Sequence, residues 1–277
     1  MKAAFSVMTA ILLLSNSAIA QTENEWRSWP LASHFTIDIS AMFPKLDTRV
    51  SVDASDTSLG TTIDFEQNLG MSDTETLPVI GFGWRYAKKH QVSLAAFKLD
   101  RSGSAITPTN ISIGDETFPV DLPIASFFDM SVINLRYSYS LVFDEKKELA
   151  FGAGLSIQNI SFGLLGVGGL GNIEFASGFT APLPTFDLLG RYAFTDKWIG
   201  QLGIGVFSFD LDLSDESELS GDVRTAYASI QHHTFEHVYF GLSYNYIEVD
   251  VEWSEISLGT SVGYEYRGPM LTVTTAF

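Results

Sequence analysis

Large apolar residues recur at every second position through much of this chain. Ile80, Phe82, Trp84 and Tyr86 alternate with Gly81, Gly83 and Arg85, and Ile133, Leu135, Tyr137, Tyr139, Leu141 and Phe143 are interleaved with Asn134, Arg136, Ser138 and Ser140. A period of two is that of an extended strand, whose successive side chains point to opposite faces. Past the first residues, no stretch approaches the roughly 18 consecutive apolar residues that a transmembrane helix needs. The sequence therefore specifies strands with one face suited to oil and the other to a polar medium.

Alternation by itself fits a soluble sandwich as well as a membrane barrel, so the connections decide. Every second connection is very short: Lys88-Lys89-His90, Asp144 to Lys147, Thr195-Asp196-Lys197 and Glu236-His237. The intervening ones are long, acidic or glycine-rich. Tight turns at one end and extended loops at the other are how bacterial outer-membrane barrels are built, with the short turns facing the periplasm. Closure follows from the solvent, because in hydrocarbon every backbone polar group needs a partner within the protein.

Arg85-Tyr86, Arg191-Tyr192-Ala193-Phe194 and His232-His233-Thr234-Phe235 each lead into a charged turn and mark successive hairpins. Four turns join eight strands, and the flanking segments add one at each end, which predicts an all-β, closed antiparallel transmembrane barrel of about ten strands. The expected strands are 35 to 52, 77 to 87, 91 to 102, 127 to 143, 148 to 163, 180 to 195, 198 to 212, 222 to 234, 237 to 252 and 258 to 277. Pro44 interrupts the first, since proline donates nothing to a ladder. If that segment pairs elsewhere, the count becomes eight.

Residues 1–20 read as a secretory signal, with Lys2 at the start, an apolar run from Val7 to Leu14 and the small-residue site Ala18-Ile19-Ala20. A single barrel domain, 21–277, follows without a Pro/Ser-rich linker. Absence of cysteine excludes both a disulfide framework and lipid attachment through an N-terminal cysteine. The net charge of -17 argues against nucleic acid as a partner. Acidic residues cluster between the apolar segments, at Asp53 to Glu75, at Asp115, Glu116 and Asp121, and at Asp215, Glu216, Glu218 and Asp222.

At the end of the chain Leu271, Val273, Thr275 and Phe277 alternate with Thr272, Thr274 and Ala276. This ending resembles the C-terminal insertion signal of bacterial outer-membrane barrels, and the whole chain looks like the small OmpW- or OmpA-type barrels of Gram-negative bacteria. The resemblance implies residence in the cell outer membrane, handling by the outer-membrane assembly machinery, and contact with outer-membrane lipids and lipopolysaccharide.

Gly166-Val167-Gly168-Gly169-Leu170-Gly171 has the spacing of a dinucleotide-binding loop, but no helix follows to hold a pyrophosphate, and a loop tip is expected. His232, His233, His237 and His90 crowd the short turns, yet alternation sends His232 and His233 to opposite faces, so no metal site and no cofactor is expected. The acidic loops lack a complete calcium-loop pattern. No serine, histidine and acid are ordered by a motif, so a catalytic role is not expected.

The polar side of the alternation collects Arg85, Arg136, Asp187, Arg191, Gln201, Gln231, His233 and Asn245 as lumen-facing candidates. Arginines inside a narrow barrel either line a selective pore or fill the interior as a charge network. The sequence points first to a narrow passive channel or small-ligand conduit, with a small solute as its possible cargo. A closed structural or surface-interaction barrel displaying acidic loops is the alternative, and a lipid-modifying or proteolytic enzyme comes third.

Overall fold

The computed structural model describes residues 29–54, 62–113, 116–168, 171–214, 217–255 and 258–277; the expected signal segment, 1–20, lies outside them. In chain order the elements are β1 (Phe35–Met42), β2 (Lys45–Ala54), β3 (Ile63–Asp64), α1 (Phe65–Leu69), β4 (Leu77–Ala87), β5 (His90–Ile106), β6 (Ile111–Ile113) and β7 (Glu116–Phe118). They continue with β8 (Pro123–Phe143), β9 (Lys147–Gly168), β10 (Gly171–Ala193), β11 (Trp198–Ser214), β12 (Ser217–Phe235), β13 (Val238–Glu255) and β14 (Leu258–Ala276). Strands β1, β4, β5 and β8 to β14 form an antiparallel ring of ten, closed where β1 pairs with β14.

The expected first strand, 35 to 52, is broken at Phe43-Pro44. Both pieces run along β14, from Thr36 opposite Ala276 to Met42 opposite Met270, then from Lys45 opposite Arg267 to Ala54 opposite Leu258. On the other edge, β1 pairs with β4 only as far as Met42 and Leu77, while β2 turns to β3. Pro44 has no N–H to offer β4, and the chain separates there. The ring nevertheless holds ten strands, not eight.

The barrel has two tiers. Toward the short turns, apolar side chains face outward, with Leu135 50% and Phe240 48% exposed, and polar ones face the lumen. Toward the other end the arrangement inverts: Phe128, Met130, Ile160, Phe162, Val249, Val251 and Val262 are buried inside, and Lys98, Asp100, Asp129 and Arg224 stand outside. A strand of 21 residues such as β8 runs about 70 Å, and at a tilt of about 40° it rises roughly 50 Å, about twice the ~25 Å apolar band of an outer-membrane barrel. The outward apolar tier meets lipid. Beyond it, water surrounds the strands and the barrel builds a core of its own.

Segments expected as loops therefore continue as strand. β9 extends to Gly168 and β10 begins at Gly171, leaving 169–170 between them, so Gly166 and Gly168 sit in a ladder rather than a loop. β12 begins at Ser217 rather than near 222. Of the acidic clusters, Asp56, Asp115, Asp215 and Glu216 lie outside the described residues.

The segment between β2 and β4 closes the upper tier. After β2 the chain turns inward through β3 and α1, where the Asp64 side chain accepts from the Gln67 N–H at 2.7 Å and Gly70, at φ 67°, ends the helix in the left-handed conformation. Its i,i+4 pair Phe65 and Leu69 is fully buried, and the Phe65 ring meets Phe128 and Phe162 edge-on at 5.6 and 6.3 Å. Arg101 on β5 locks this segment by donating to Thr48 Oγ1, to Glu66 and to the Ser72 carbonyl.

At the short-turn end the chain before β1 folds beneath the ring. Leu31 and Ala32 are buried against Phe143, Ala193 and Ile199, and Trp29 packs on Phe143 at 5.4 Å. The Phe277 carbonyl accepts the N–H groups of His34 and Phe35, tying the end of the chain to β1.

Candidate functional site

The lumen of the lipid-facing tier holds the chain's polar interior. Glu148 sits beside Arg191 in the β9–β10 register, and Arg85 reaches it across the lumen from β4. Its carboxylate accepts from Arg85 Nη2 at 2.8 and 3.0 Å, from Arg191 Nε at 2.7 Å and from the Ser140 hydroxyl. Arg85 also donates to the Lys88 carbonyl and to Gln91 Oε1, and lies over the Phe143 ring at 4.5 Å. Two guanidiniums thus share one carboxylate in a region sealed below by Trp29 to Ala32.

Higher in the lumen, Arg136 on β8 binds Asp187 on β10 with two parallel hydrogen bonds, Nε to Oδ2 at 2.7 Å and Nη2 to Oδ1. Strand β9 lies between them, and it presents Gly152 and Gly154 there. A Cβ on Gly152 would sit 2.7 Å from Asp187 Oδ1 and closer still to the guanidinium, so glycine is what lets the pair cross the strand.

Gln201 donates to the Tyr227 hydroxyl at 2.8 Å, and Asn245 to Ser243 Oγ at 2.9 Å. With Gln231, Asp38, Thr272 and both Arg136 and Arg191 they border a cavity of about 350 Å³. His233 lies apart from this cavity at the short-turn rim, stacked on Tyr239 at 4.4 Å with Nε2 3.2 Å from the Glu236 carbonyl. Of the lumen-facing candidates, the geometry thus unites Arg85 with Arg191, pairs Arg136 with Asp187, groups Gln201, Gln231 and Asn245 around one cavity, and leaves His233 separate.

Glu148 and Tyr227 are the residues that pattern reasoning missed. Glu148 directly follows the charged turn at Asp144 to Lys147, and a register shift between Ser140 and Val142 sets which face the neighbouring residues take. Arg101 and Glu66 were also missed, since nothing local shows that the acidic stretch around Glu66 turns inward.

His232 bonds Thr234 and packs on Trp198, His237 bonds the Ala276 carbonyl and stacks on Phe277, and His90 bonds the Tyr137 hydroxyl at 2.6 Å. Among the described residues, no group of three or more histidines and carboxylates is arranged to hold a metal ion. On the outer surface above the lipid belt, Asp222 stands directly opposite Asp250, with Asp210 and Glu252 nearby.

Neither a protein-family model nor a curated protein sequence matches the chain. Solved structures do. The outer membrane protease OmpT of Escherichia coli superposes with a TM-score of 0.55 at 11% identity, over 87% of this chain and 97% of that one. The translocator domain of the autotransporter NalP from Neisseria meningitidis gives 0.47 at 13%, over 100% and 97%, and the Pseudomonas putida toluene transporter TodX gives 0.35 at 8%, over 91% and 93%. The fold is that of an outer-membrane β-barrel, and the outward apolar belt places the chain in the outer membrane.

Proposed function

We propose that this chain is a closed outer-membrane barrel that works through the charged surface of its extracellular tier, not as an open passive pore. One observation carries the proposal: above the membrane an apolar cluster drawn from β2, β8, β9, β13 and β14 occupies the lumen, with Phe65 of the inturned segment on the neighbouring Phe128 and Phe162 and the Tyr264 hydroxyl of β14 donating to Gln158 Oε1 of β9 on the opposite wall at 2.6 Å. The conduit that the polar lumen suggests has less support, because its cavity of about 350 Å³ lies between this apolar core and the Arg85–Glu148–Arg191 cluster. What faces outward above the belt is a predominantly acidic array that includes Asp129, Asp210, Asp222, Asp250 and Glu252. Such a surface suits a basic partner, or lipopolysaccharide phosphates bridged by divalent cations.

An enzyme has least support. The five histidines, His34, His90, His232, His233 and His237, all lie toward the short turns, so a histidine base at the extracellular rim is missing. Single-channel recording of the mature protein in planar bilayers tests the proposal. The current should match that of protein-free bilayers, and a steady open level in the wild type would overturn the closed barrel.

A further inference from the structure

The lipid-facing wall is not uniformly convex. Across β10 to β14 it carries a groove of about 740 Å³, whose floor is made by Gly190, Gly200 and Ala228. The register explains it: Gly190 lies opposite Leu202 and Leu202 opposite Ala228, while in the next row Tyr192 lies opposite Gly200 and Gly200 opposite Ile230. Small and large outward residues therefore alternate between neighbouring strands. The Phe194 ring folds against Gly200, and an ideal Cβ on Gly190 meets no heavy atom within 4 Å.

The groove lies near one membrane interface. Tyr192, Phe194 and Trp198 lead to the short turn at Thr195 to Lys197, on the periplasmic side, where aromatic girdles of such barrels sit. Lys197 is exposed at that turn. Five strands spaced about 4.8 Å apart span roughly 19 Å, comparable with the ~15 Å of hydrocarbon in one leaflet, half of a ~30 Å bilayer core.

We infer that this groove holds an acyl chain of a phospholipid from the periplasmic leaflet, with its phosphate at Lys197. The groove is continuous with the belt that lipid already covers, and its shape selects a chain over a second barrel. A two-fold contact needs a self-complementary surface, and a concavity placed against its own copy leaves a void. Since lipid tails are as apolar as the wall, retention comes from close packing of the chain and from the phosphate–ammonium contact, not from the hydrophobic effect.

The test uses the full mature protein in nanodiscs containing a phosphatidylglycerol with a photoactivatable group on its acyl chain, with labelled positions read by peptide mass spectrometry. Labelling should concentrate on β10 to β14. Gly190→Trp, which fills the groove from a position with room for a side chain, should cut it several-fold while heat-modifiable mobility stays normal. Leu135→Trp on the remote wall should not. Lys197→Glu should reduce labelling by the anionic lipid and spare a zwitterionic one. Even labelling around the whole belt, no effect of Gly190→Trp, cysteine cross-links joining two copies through the groove, or retention of lipopolysaccharide alone would each overturn the inference.

Discussion

Arg85 Nη2 donates to both carboxylate oxygens of Glu148, at 2.8 and 3.0 Å, in a pair whose side chains are 1% and 2% exposed. Arg191 shares the same carboxylate from the neighbouring strand. Removing one member of such a buried group strands the others without compensation. Glu148→Ala should destabilise the barrel by about 3 to 5 kcal/mol, measured by urea unfolding in liposomes. A loss below about 1 kcal/mol, the size of a single neutral hydrogen bond, would show that the cluster is hydrated instead.

The outward belt makes its own prediction. Leu135→Arg or Phe240→Arg places a cation against lipid at a cost of about 2 to 4 kcal/mol near midplane. Ser243→Arg points toward the polar cavity of about 350 Å³ and should cost less. The comparison is made by unfolding titrations of folded protein in vesicles of one composition. Equal losses at the three sites would reverse the assignment of faces.

The barrel, its strand number and its polar lumen were legible because alternation and tight turns are local signals. The upper tier was not, for a reason visible within single strands. On β8 the apolar residues occupy odd positions from Ile133 to Leu141, facing lipid, whereas Ile124, Phe128, Met130 and Val132 occupy even positions, facing inward. The parity switches at Val132-Ile133 with no break in the strand. The same inversion separates Leu155 and Ile157 from Ile160 and Phe162 on β9, and Leu242 and Tyr244 from Val249 and Val251 on β13. Outside the membrane, water on the outer face favours the opposite pattern, so polar outer residues read as loop. The lock between Arg101 and Glu66 depends on the path of the chain between β2 and β4, which no periodicity records.

At the β8–β9 turn, Asp144 Oδ1 accepts the N–H groups of Lys146 and Lys147 at 3.0 Å each, and these bonds hold its carboxyl below the usual value of 3.8. A depressed carboxyl contributes stability above its unfolded pKa and loses it as pH falls through the lower folded value. Asp144→Ala should therefore be less stable than wild type at pH 7, with the gap closing below pH 3.8. Thermal melts of both proteins across that range check the sign. A gap that widens in acid would exclude the ionised carboxylate as its source.

Arg136 and Asp187 face each other over the glycines of β9, and the lumen around them is bordered on one side by apolar packing and on the other by the Arg85–Glu148–Arg191 cluster. In an open pore, reversing a lining charge changes ion selectivity with little effect on folding. In a packed interior it sets two carboxylates against each other. Arg136→Glu should thus destabilise by several kcal/mol and produce no conductance. Joining it to Asp187→Arg should recover a large part of that loss, because the pair is restored with its ends exchanged. Gly152→Val should mimic the single mutant without altering any charge, since its side chain would occupy the space of the guanidinium. Stability from urea titrations and current from planar bilayers, measured on the same four proteins, separate the cases. An Arg136→Glu barrel that folds normally and conducts cations would identify Arg136 as a pore-lining residue and the lumen as a passage.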